Sequence, residues 1–206
     1  MIDPRAAVDR AALLDAAGPG AEVLFDEPMS RHTTLRLGGP VDAWIAPASI
    51  AAVQQVRALC AARGWPSRAV GAGSNLLVRD GGIRGVLLSS ERLRRLEFIP
   101  ESSESDDRVR VLVGAGVATG KLLAEATRRG LGGVELLGGV PGSIGGGLVM
   151  NAGTYVGEFT DVTAFVRSVD PAGRLVERDH AACGFVYRGS ALPPDEMVVE
   201  GELVLR

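Results

Sequence analysis

Three glycine-rich segments contain the residues of this chain that are best suited to bind a ligand. They are VGAGSNLL at 70–77, VGAGVATGKLL at 113–123 and GGVPGSIGGGLVMN at 138–151. Glycine loses more conformational freedom on folding than any other residue, so its accumulation indicates a backbone that turns left-handed or approaches a ligand closely. Successive backbone N–H groups in such a turn form a nest of donors that suits a pyrophosphate. Ser74 and Asn75 add side-chain donors to the first segment.

Two familiar nucleotide-binding motifs are absent from these segments. A P-loop requires G-x-x-x-x-G-K-[ST], but the dipeptide GK at 120–121 has Ala115 at the first glycine position and Leu122 at the hydroxyl position. A Rossmann fingerprint requires G-x-G-x-x-G, but the two GAG triplets continue to Leu76 and Thr119 at the third glycine position. The segments therefore predict a dinucleotide site of another type, and a purely structural role for each loop is the alternative.

The composition excludes several classes of protein. With 46% hydrophobic and 23% charged residues, the chain of 206 residues is globular rather than disordered. A net charge of -3 argues against a general nucleic-acid binder, which would be basic. No apolar run reaches the roughly 18 residues that a membrane span needs, and the aspartates among the first residues argue against a signal peptide. A cytoplasmic location is therefore expected.

The distant cysteines, Cys60 and Cys183, form neither a disulfide framework nor a zinc site, and Cys60 is interpreted as a buried thiol.

The elements that would position these segments are mainly strands with interspersed helices, which predicts an α+β fold. Helices are predicted at 4–17, at 121–129, and between an N-cap at Ser49 and an end at Gly64. Predicted strands include TLRLGG and VDAWIAP, which turn at Gly38-Gly39, one strand on each side of the first glycine loop, the pair RRLEFIP and RVRVLVGAG, and several in the last third. The acidic loop ESSESDD at 101–107 is predicted to be the solvated tip of that pair. Residues 1–30 would form a helical lead-in, followed by subdomains at 31–95 and 96–206.

Four longer segments together resemble one enzyme family. They are HTTLRLGGPVDAWIAP, VGAGSNLLVRDGGIRG, GLGGVELLGGVPGSIGGGLVMNAGTYVGEFTD and CGFVYRGS, and they cover nearly the whole chain from His32 onwards. In this order they resemble the UDP-N-acetylenolpyruvoylglucosamine reductase family. The resemblance implies a vanillyl-alcohol-oxidase, or PCMH-type, FAD-binding fold in which two α+β subdomains hold FAD. Residues 31–206 would then form a single FAD-binding domain.

The resemblance also implies which residues form the site. The first glycine loop would wrap the pyrophosphate, and the segment from 141 to 153 would lie along the flavin and its phosphates. The implied cofactor-binding residues are Gly71, Ala72, Gly73, Ser74, Asn75, Leu76, Pro141, Gly142, Ser143, Ile144, Gly146, Asn151, Ala152 and Gly153. Tyr155, Tyr187 and Arg188 would bind substrate, with a packing role as an equal alternative for Tyr155. No metal is expected, and neither His32 nor His180 is given a catalytic role.

The reaction that the resemblance implies is a two-step hydride relay in peptidoglycan synthesis. NADPH reduces FAD, and the reduced flavin passes hydride to the enolpyruvyl double bond of a small-molecule UDP-sugar, which gives UDP-N-acetylmuramate. Arg188 would be catalytic, because a bidentate guanidinium stabilises the enolate character that develops on the carboxylate. By itself this residue is typical of a surface arginine at a strand end. The pathway serves cell-wall biogenesis, cell shape and cell division. Neither nucleic acid nor membrane is an expected partner, and the oligomeric state is left open.

The chain departs from the family in its C-terminal part. Family members continue with a substrate domain that carries a serine proton donor and an assisting glutamate, whereas no SAGS- or SCGS-like segment occurs in these 206 residues. We therefore expect that this chain supplies the flavin-binding part and does not complete the reaction by itself. The alternative is an FAD-binding module without reductase activity.

Overall fold

A computed structural model describes residues 8–100 and 107–206 of the chain. The helices are α1 (Arg10–Ala17), α2 (Ile50–Arg63), α3 (Thr119–Arg128), α4 (Ile144–Val149) and α5 (His180–Cys183). The strands are β1 (Glu22–Pro28), β2 (Pro40–Ala46), β3 (Ser67–Val70), β4 (Ile83–Ser89), β5 (Leu96–Pro100), β6 (Val109–Gly114), β7 (Gly153–Thr154), β8 (Gly157–Glu158), β9 (Thr163–Val169), β10 (Leu175–Asp179) and β11 (Met197–Leu205). Short 3-10 helices lie at Met29–Arg31, Glu135–Leu137 and Phe159–Asp161.

The chain divides into two compact units, and each is assembled from separate stretches of sequence. The first contains the chain up to Leu93 together with Val169–Val176 and Pro194–Met197. The second contains Arg94–Ser168, Glu177–Pro193 and Val198–Arg206. Two short segments of the first unit, Val169–Val176 and Pro194–Met197, are therefore flanked in sequence by segments of the second unit.

The first unit is built on a four-stranded sheet with the order β1-β2-β4-β3. Strands β1 and β2 are antiparallel, whereas β4 is parallel to both β2 and β3. Helix α2 begins after Ser49, whose hydroxyl accepts a hydrogen bond from the N–H of Ala52 at 3.2 Å. It ends at Gly64, which has a left-handed φ of 65°. The predicted cap and end of this helix are confirmed. Trp44 and Met29 are fully buried in the apolar core of the unit.

The second unit is built on a five-stranded sheet with the order β10-β9-β11-β6-β5, which confirms the predicted pair β5 and β6. Its central strand, β11, is almost completely buried and yet carries Glu200 and Glu202. Arg167 Nη1 and Arg95 Nη1 donate to the carboxylate of Glu200 at 2.7 and 3.2 Å. Arg110 donates to both oxygens of Glu202, from Nε at 2.7 Å and from Nη2 at 2.5 Å. These pairs stabilise two carboxylates that would be costly to bury alone.

Two predicted strands near the first glycine loop are wrong. The segment TLRLGG is not a strand, because the Thr33 hydroxyl exchanges hydrogen bonds with the carbonyl and the N–H of Leu37, at 2.8 and 3.2 Å, and closes a turn. Arg36 in this turn has a left-handed φ of 55°. The antiparallel partner of β2 is instead β1, a strand that sequence analysis missed. The strand predicted directly after the first glycine loop is absent, because 76–79 packs against Gly38 and Gly39.

Other predicted elements hold with shifted ends, and parts of two are not described. The helix predicted at 121–129 runs from Thr119 to Arg128. The helix predicted at 4–17 is seen as α1, while its residues 4–7 and residues 101–106 of the predicted hairpin tip lie outside the described residues. Both cysteine side chains are fully buried, which confirms the interpretation of Cys60 as a buried thiol.

Burial predicts that both cysteines react slowly in the folded protein. Desolvation raises the pKa of the Cys60 thiol to about 11, against an opposing effect of Arg57, and burial also raises the pKa of Cys183. A pKa raised by two units lowers the thiolate fraction at pH 8 by about 100-fold, and the thiolate is the reactive form. We expect an aromatic disulfide reagent to label Cys60 in the native chain at least that much more slowly than in denaturant, and to label Cys183 more slowly as well. Rapid labelling of one thiol under native conditions would contradict this.

Candidate functional site

Helix α4 brings the second and third glycine-rich segments together in the second unit. The first two N–H groups of the helix, those of Ile144 and Gly145, donate to the carbonyl oxygens of Val117 and Ala115, both at 2.9 Å. The sequence alone does not connect these segments, and the start of a helix is in general a place that favours an anion. In the structure, protein carbonyl oxygens take up these two N–H groups.

Two glycines of α4 are required by close packing against the protein itself. A β-carbon at Gly145 would lie 2.8 Å from the β-carbon of Ala115, and one at Gly147 would overlap the ring of Phe159. Both glycines are buried, and Phe159 and Ile144 are fully buried in the apolar core of this unit. The absence of side chains at these two positions is therefore explained by the fold.

The glycine between them, Gly146, faces open space instead. A β-carbon at Gly146 would meet only the hydroxyl oxygen of Ser143, at 3.9 Å. That hydroxyl is buried and has no hydrogen-bond partner among the described residues. Buried polar groups are nearly always paired, so each exception requires an explanation, and a ligand is one of them. Ser143 and Gly146 thus mark one place on α4 that suits a polar group of a ligand.

After α4 the chain turns through Asn151, which has a left-handed φ of 42° and is only 1% exposed. Its Nδ2 donates to Oε2 of Glu158 at 2.7 Å and to the carbonyl oxygen of Val186 at 3.0 Å. Its Oδ1 accepts a hydrogen bond from the N–H of Thr160 at 2.9 Å. The next residue, Ala152, donates its N–H to Gly147 and accepts one from Phe159. The polar atoms of this segment are therefore engaged by the protein.

Arg188 lies in a tight turn beside this segment. Val186 and Gly189 exchange backbone hydrogen bonds at 2.9 and 3.1 Å, and Arg188 between them has a left-handed φ of 59°. Nη1 of Arg188 donates to the carbonyl oxygen of Gly153 at 3.4 Å, and its guanidinium lies 5.6 Å from the ring centre of Tyr187. Arg188 is exposed and Tyr187 is 80% exposed. The structure thus brings together predicted site residues that lie 35 positions apart in the sequence.

The remaining site residues predicted in this unit lie close to the same elements. Pro141 is exposed, and the carbonyl of Gly142 accepts a hydrogen bond from the N–H of Thr119 at 3.2 Å. Tyr155 is fully exposed in the turn between β7 and β8, so it does not pack within its unit. The packing alternative for Tyr155 is therefore not supported by this structure.

The first unit holds the first glycine loop against the segment that begins at His32. Gly73 has a left-handed φ of 68°, and a β-carbon there would overlap the backbone carbonyl of His32. The N–H of Thr34 donates to the carbonyl of Gly73 at 3.2 Å. Around this contact Ala72, Ser74 and Asn75 are exposed and Gly71 is half-buried, whereas Leu76 packs against the apolar core.

Sequence analysis missed the reason why His32 stands at that position. Its ring stacks on Trp44, with ring centroids 3.8 Å apart, and its Nε2 lies 3.0 Å from Oε1 of the buried Glu27. These contacts hold the segment against which Gly73 packs. The sequence HTT does not reveal these contacts, because the partners of His32, Glu27 on β1 and Trp44 on β2, reach it only in the folded unit.

The structure also shows what the rest of the described chain offers to a ligand, a metal ion or a membrane. A cleft of about 600 Å³ in the second unit is lined by Gly133, Glu135 and His180 among others, and none of the predicted site residues lines it. Across 8–100 and 107–206, no group of three or more histidine, cysteine, aspartate and glutamate residues could hold a metal ion. In the same described part of the chain, every helix is too short or too polar to cross a bilayer.

Comparison with known proteins relates these segments to a family. A family model described as an FAD binding domain matches residues 41–179, which is more than half of the chain. The chain belongs to this family of FAD-binding domains. A curated UDP-N-acetylenolpyruvoylglucosamine reductase from Geobacter sulfurreducens is 42% identical over 195 residues, which are 95% of this chain and 62% of the relative. The reductase from Geobacter metallireducens is 39% identical over 86% of this chain and 57% of its own length. The chain thus spans roughly three fifths of the length of these relatives.

Solved structures support the same conclusion about this FAD-binding domain. The crystal structure of a UDP-N-acetylenolpyruvylglucosamine reductase from Thermus caldophilus matches with a TM-score of 0.70 at 30% identity. The match covers 90% of this chain and 62% of the Thermus chain. A VAO-type flavoprotein from Myceliophthora thermophila has a TM-score of 0.63 at 17% identity, covering 81% of this chain and 32% of its own, which shows the shared fold alone. The predicted resemblance to the reductase family and the predicted α+β, vanillyl-alcohol-oxidase type of fold are both confirmed.

The packing of α4 in this FAD-binding domain predicts opposite effects for two neighbouring glycines. Gly147→Ala should destabilise the fold by about 1–3 kcal/mol, because its methyl group would displace the buried ring of Phe159. Gly146→Ala should stabilise it by up to about 1 kcal/mol, because alanine restricts the unfolded chain and favours the helix. Urea unfolding of the apo-protein measures both changes.

The matched control for this pair is the double variant Gly147→Ala with Phe159→Leu. The smaller leucine makes room for the methyl group, so the double variant should be more stable than the sum of the two single changes predicts. Additive losses would show that the ring of Phe159 is not what requires glycine at 147.

Proposed function

We propose that this chain is the FAD-binding part of a reductase that uses NADPH to convert UDP-N-acetylenolpyruvoylglucosamine into UDP-N-acetylmuramate, a precursor of peptidoglycan. The observation that carries the proposal is the position of Arg188, which is exposed in its turn and whose guanidinium donates to the carbonyl oxygen of Gly153, two residues after the third glycine-rich segment. The names of the relatives from Geobacter and Thermus support the choice of reaction. A cytoplasmic location stays a prediction.

FAD is the group that would carry the hydride from NADPH to the enolpyruvyl double bond. In the first unit, we propose that Gly71 to Leu76 binds the pyrophosphate through backbone N–H groups. In the second unit, the unpaired hydroxyl of Ser143 and the open face of Gly146 fit a cofactor that lies along the 141–153 segment. The residues present are therefore compatible with FAD in each unit taken separately.

Arg188 is proposed to bind the carboxylate of the substrate. One of the five N–H donors of its guanidinium is used in the hydrogen bond to Gly153. The group is exposed, so a planar carboxylate can approach it with two parallel hydrogen bonds. Hydride addition to the double bond places negative charge on that carboxylate side, and a cation held there lowers the barrier. Tyr187 and Tyr155, both strongly exposed, are proposed to contact the sugar nucleotide.

A flavin titration tests the cofactor assignment. The apo-protein should bind FAD roughly tenfold or more tightly than FMN, because FMN lacks the pyrophosphate and each charge-assisted hydrogen bond contributes about 1.5–3 kcal/mol. Quenching of flavin fluorescence gives both dissociation constants. Equal affinity for the two flavins would reject the pyrophosphate role of the first loop.

Gly146→Ala supplies a second arm of the same titration. Its methyl group should weaken FAD binding without weakening the fold, since it occupies open space beside Ser143. The matched control is Gly120→Ala in α3, where a β-carbon meets nothing within 4 Å. Unchanged FAD affinity in both variants would remove α4 from the proposed cofactor site.

Arg188→Lys tests the catalytic assignment. Lysine keeps the charge but loses the planar fork, so, in a protein in which the family's substrate domain is also present, reduction of the enolpyruvyl substrate should fall by roughly 100- to 1000-fold. Reduction of the bound flavin by NADPH should change little, because that step does not involve the substrate carboxylate. Anaerobic stopped-flow absorbance follows the two half-reactions separately. Similar losses in both would reduce Arg188 to a structural residue.

A further inference from the structure

We infer that Asn151 is a positioning residue, whose buried side chain fixes the turn of Tyr187 and Arg188 and so holds the Arg188 guanidinium beside Gly153. The inference deepens the proposed function, because it rests on the role proposed there for Arg188. It assigns to the side chain of Asn151 an indirect task, in place of direct contact with the cofactor.

The hydrogen bonds of Asn151 require an amide and exclude a carboxylate. The side chain faces two acceptors, Oε2 of Glu158 and the carbonyl oxygen of Val186, and one donor, the N–H of Thr160. An asparagine amide supplies two N–H donors and one carbonyl acceptor, so all its groups are matched in this orientation and mismatched if it is flipped. Aspartate would place a negative oxygen against both acceptors. The left-handed backbone at this position also favours asparagine over most other residues.

Within the turn that Asn151 contacts, the apolar side chain is largely exposed, although Phe185 directly before the turn packs against the core. Val186 is 62% exposed and Tyr187 is 80% exposed, so neither side chain is anchored in the core. Arg188 adopts a left-handed conformation that non-glycine residues seldom occupy. Polar contacts from neighbouring side chains therefore add to the two backbone hydrogen bonds between Val186 and Gly189 that close the turn.

Three side-chain hydrogen bonds connect the turn with the stretch from Val149 to Gly153. Asn151 donates to the carbonyl of Val186, and Arg188 donates to the carbonyl of Gly153. Ser190 Oγ donates to the carbonyl of Val149, the last residue of α4, at 2.8 Å. Of the three donors only Asn151 is buried, at 1% exposure, so its bond is the one best protected from water. Asn151 and Ser190 thus hold the start and the end of the turn, with Arg188 between them.

The experiment compares Asn151→Asp and Asn151→Gly with Ser190→Ala in the complete chain. Aspartate keeps the size and the tolerance for the left-handed backbone but loses the donors. Glycine keeps the backbone freedom and removes the amide. Amide hydrogen exchange, read residue by residue by NMR, reports on the two hydrogen bonds between Val186 and Gly189. Both Asn151 variants should accelerate exchange of these two amides roughly tenfold or more, and leave the β6 and β11 amides unchanged.

The half-reactions separate positioning from a general role in the fold. In a protein in which the family's substrate domain is also present, Asn151→Asp should slow reduction of the enolpyruvyl substrate and leave reduction of the bound flavin by NADPH nearly unchanged. Combined with Arg188→Lys, it should add little to the loss of Arg188→Lys alone, because it acts through that residue. A purely structural role would instead lower both half-reactions and accelerate exchange throughout the unit.

The remaining outcomes distinguish the positioning role of Asn151 from the substrate role proposed for Arg188. Unchanged exchange at Val186 and Gly189 in both Asn151 variants would overturn the inference. If Asn151→Asp fails to fold, Asn151→Gly, which introduces no charge, carries the same test, and unchanged exchange there would equally overturn the inference. Faster exchange confined to the turn, with no effect of Arg188→Lys on substrate reduction, would confirm the positioning contact and reject the proposed role of Arg188.

Discussion

Helix α4 lies so close to the 115–117 backbone and to the ring of Phe159 that side chains at Gly145 and Gly147 would overlap their neighbours. The second unit depends on this approach in two ways. It connects the second and third glycine segments, and it directs the chain that leaves α4 into the buried turn at Asn151. Because interiors are packed at crystal-like density, a shift of α4 would be transmitted to that turn and to the residues it contacts.

Glycine has two different functions within a single motif of this chain. At 145 and 147 it permits protein to contact protein, whereas at Gly146 it leaves space beside an unpaired hydroxyl of Ser143. Gly73 in the first unit also permits a contact within the protein, since a β-carbon there would overlap the backbone carbonyl of His32. A glycine-rich segment therefore identifies a region of close approach, and only the neighbouring atoms show whether the approach is to the protein or to a ligand.

Charge in the second unit is organised around its central strand. Glu200 and Glu202 lie inside the sheet, and arginines from β6, β9 and the segment before β5 neutralise them. Removing a single partner from a buried pair leaves an uncompensated charge, which is far more costly than the pair itself. By contrast the exposed guanidinium of Arg188 donates to a backbone carbonyl oxygen, that of Gly153.

Local patterns in the sequence determined much of this protein. The α+β class, helix α2 with its cap at Ser49 and its end at Gly64, and the strand pair β5 and β6 follow from spacing and capping over a few residues. The motifs VGAGSNLL, PGSIGG and YRGS indicated the FAD-binding family, which the family model confirms. These features depend on neighbours in the chain, so they are visible without the fold.

Tertiary structure alone decided the contacts between distant residues. The predicted strand TLRLGG is a turn, because the hydroxyl of Thr33 forms hydrogen bonds with the backbone of Leu37. Strand β2 therefore pairs with β1 instead. Tertiary structure also placed His32 on Trp44, and it brought the amide of Asn151 to Val186 across 35 positions of sequence. A hydrogen bond of this kind has no local pattern, since its geometry exists only after both segments have packed against the same core.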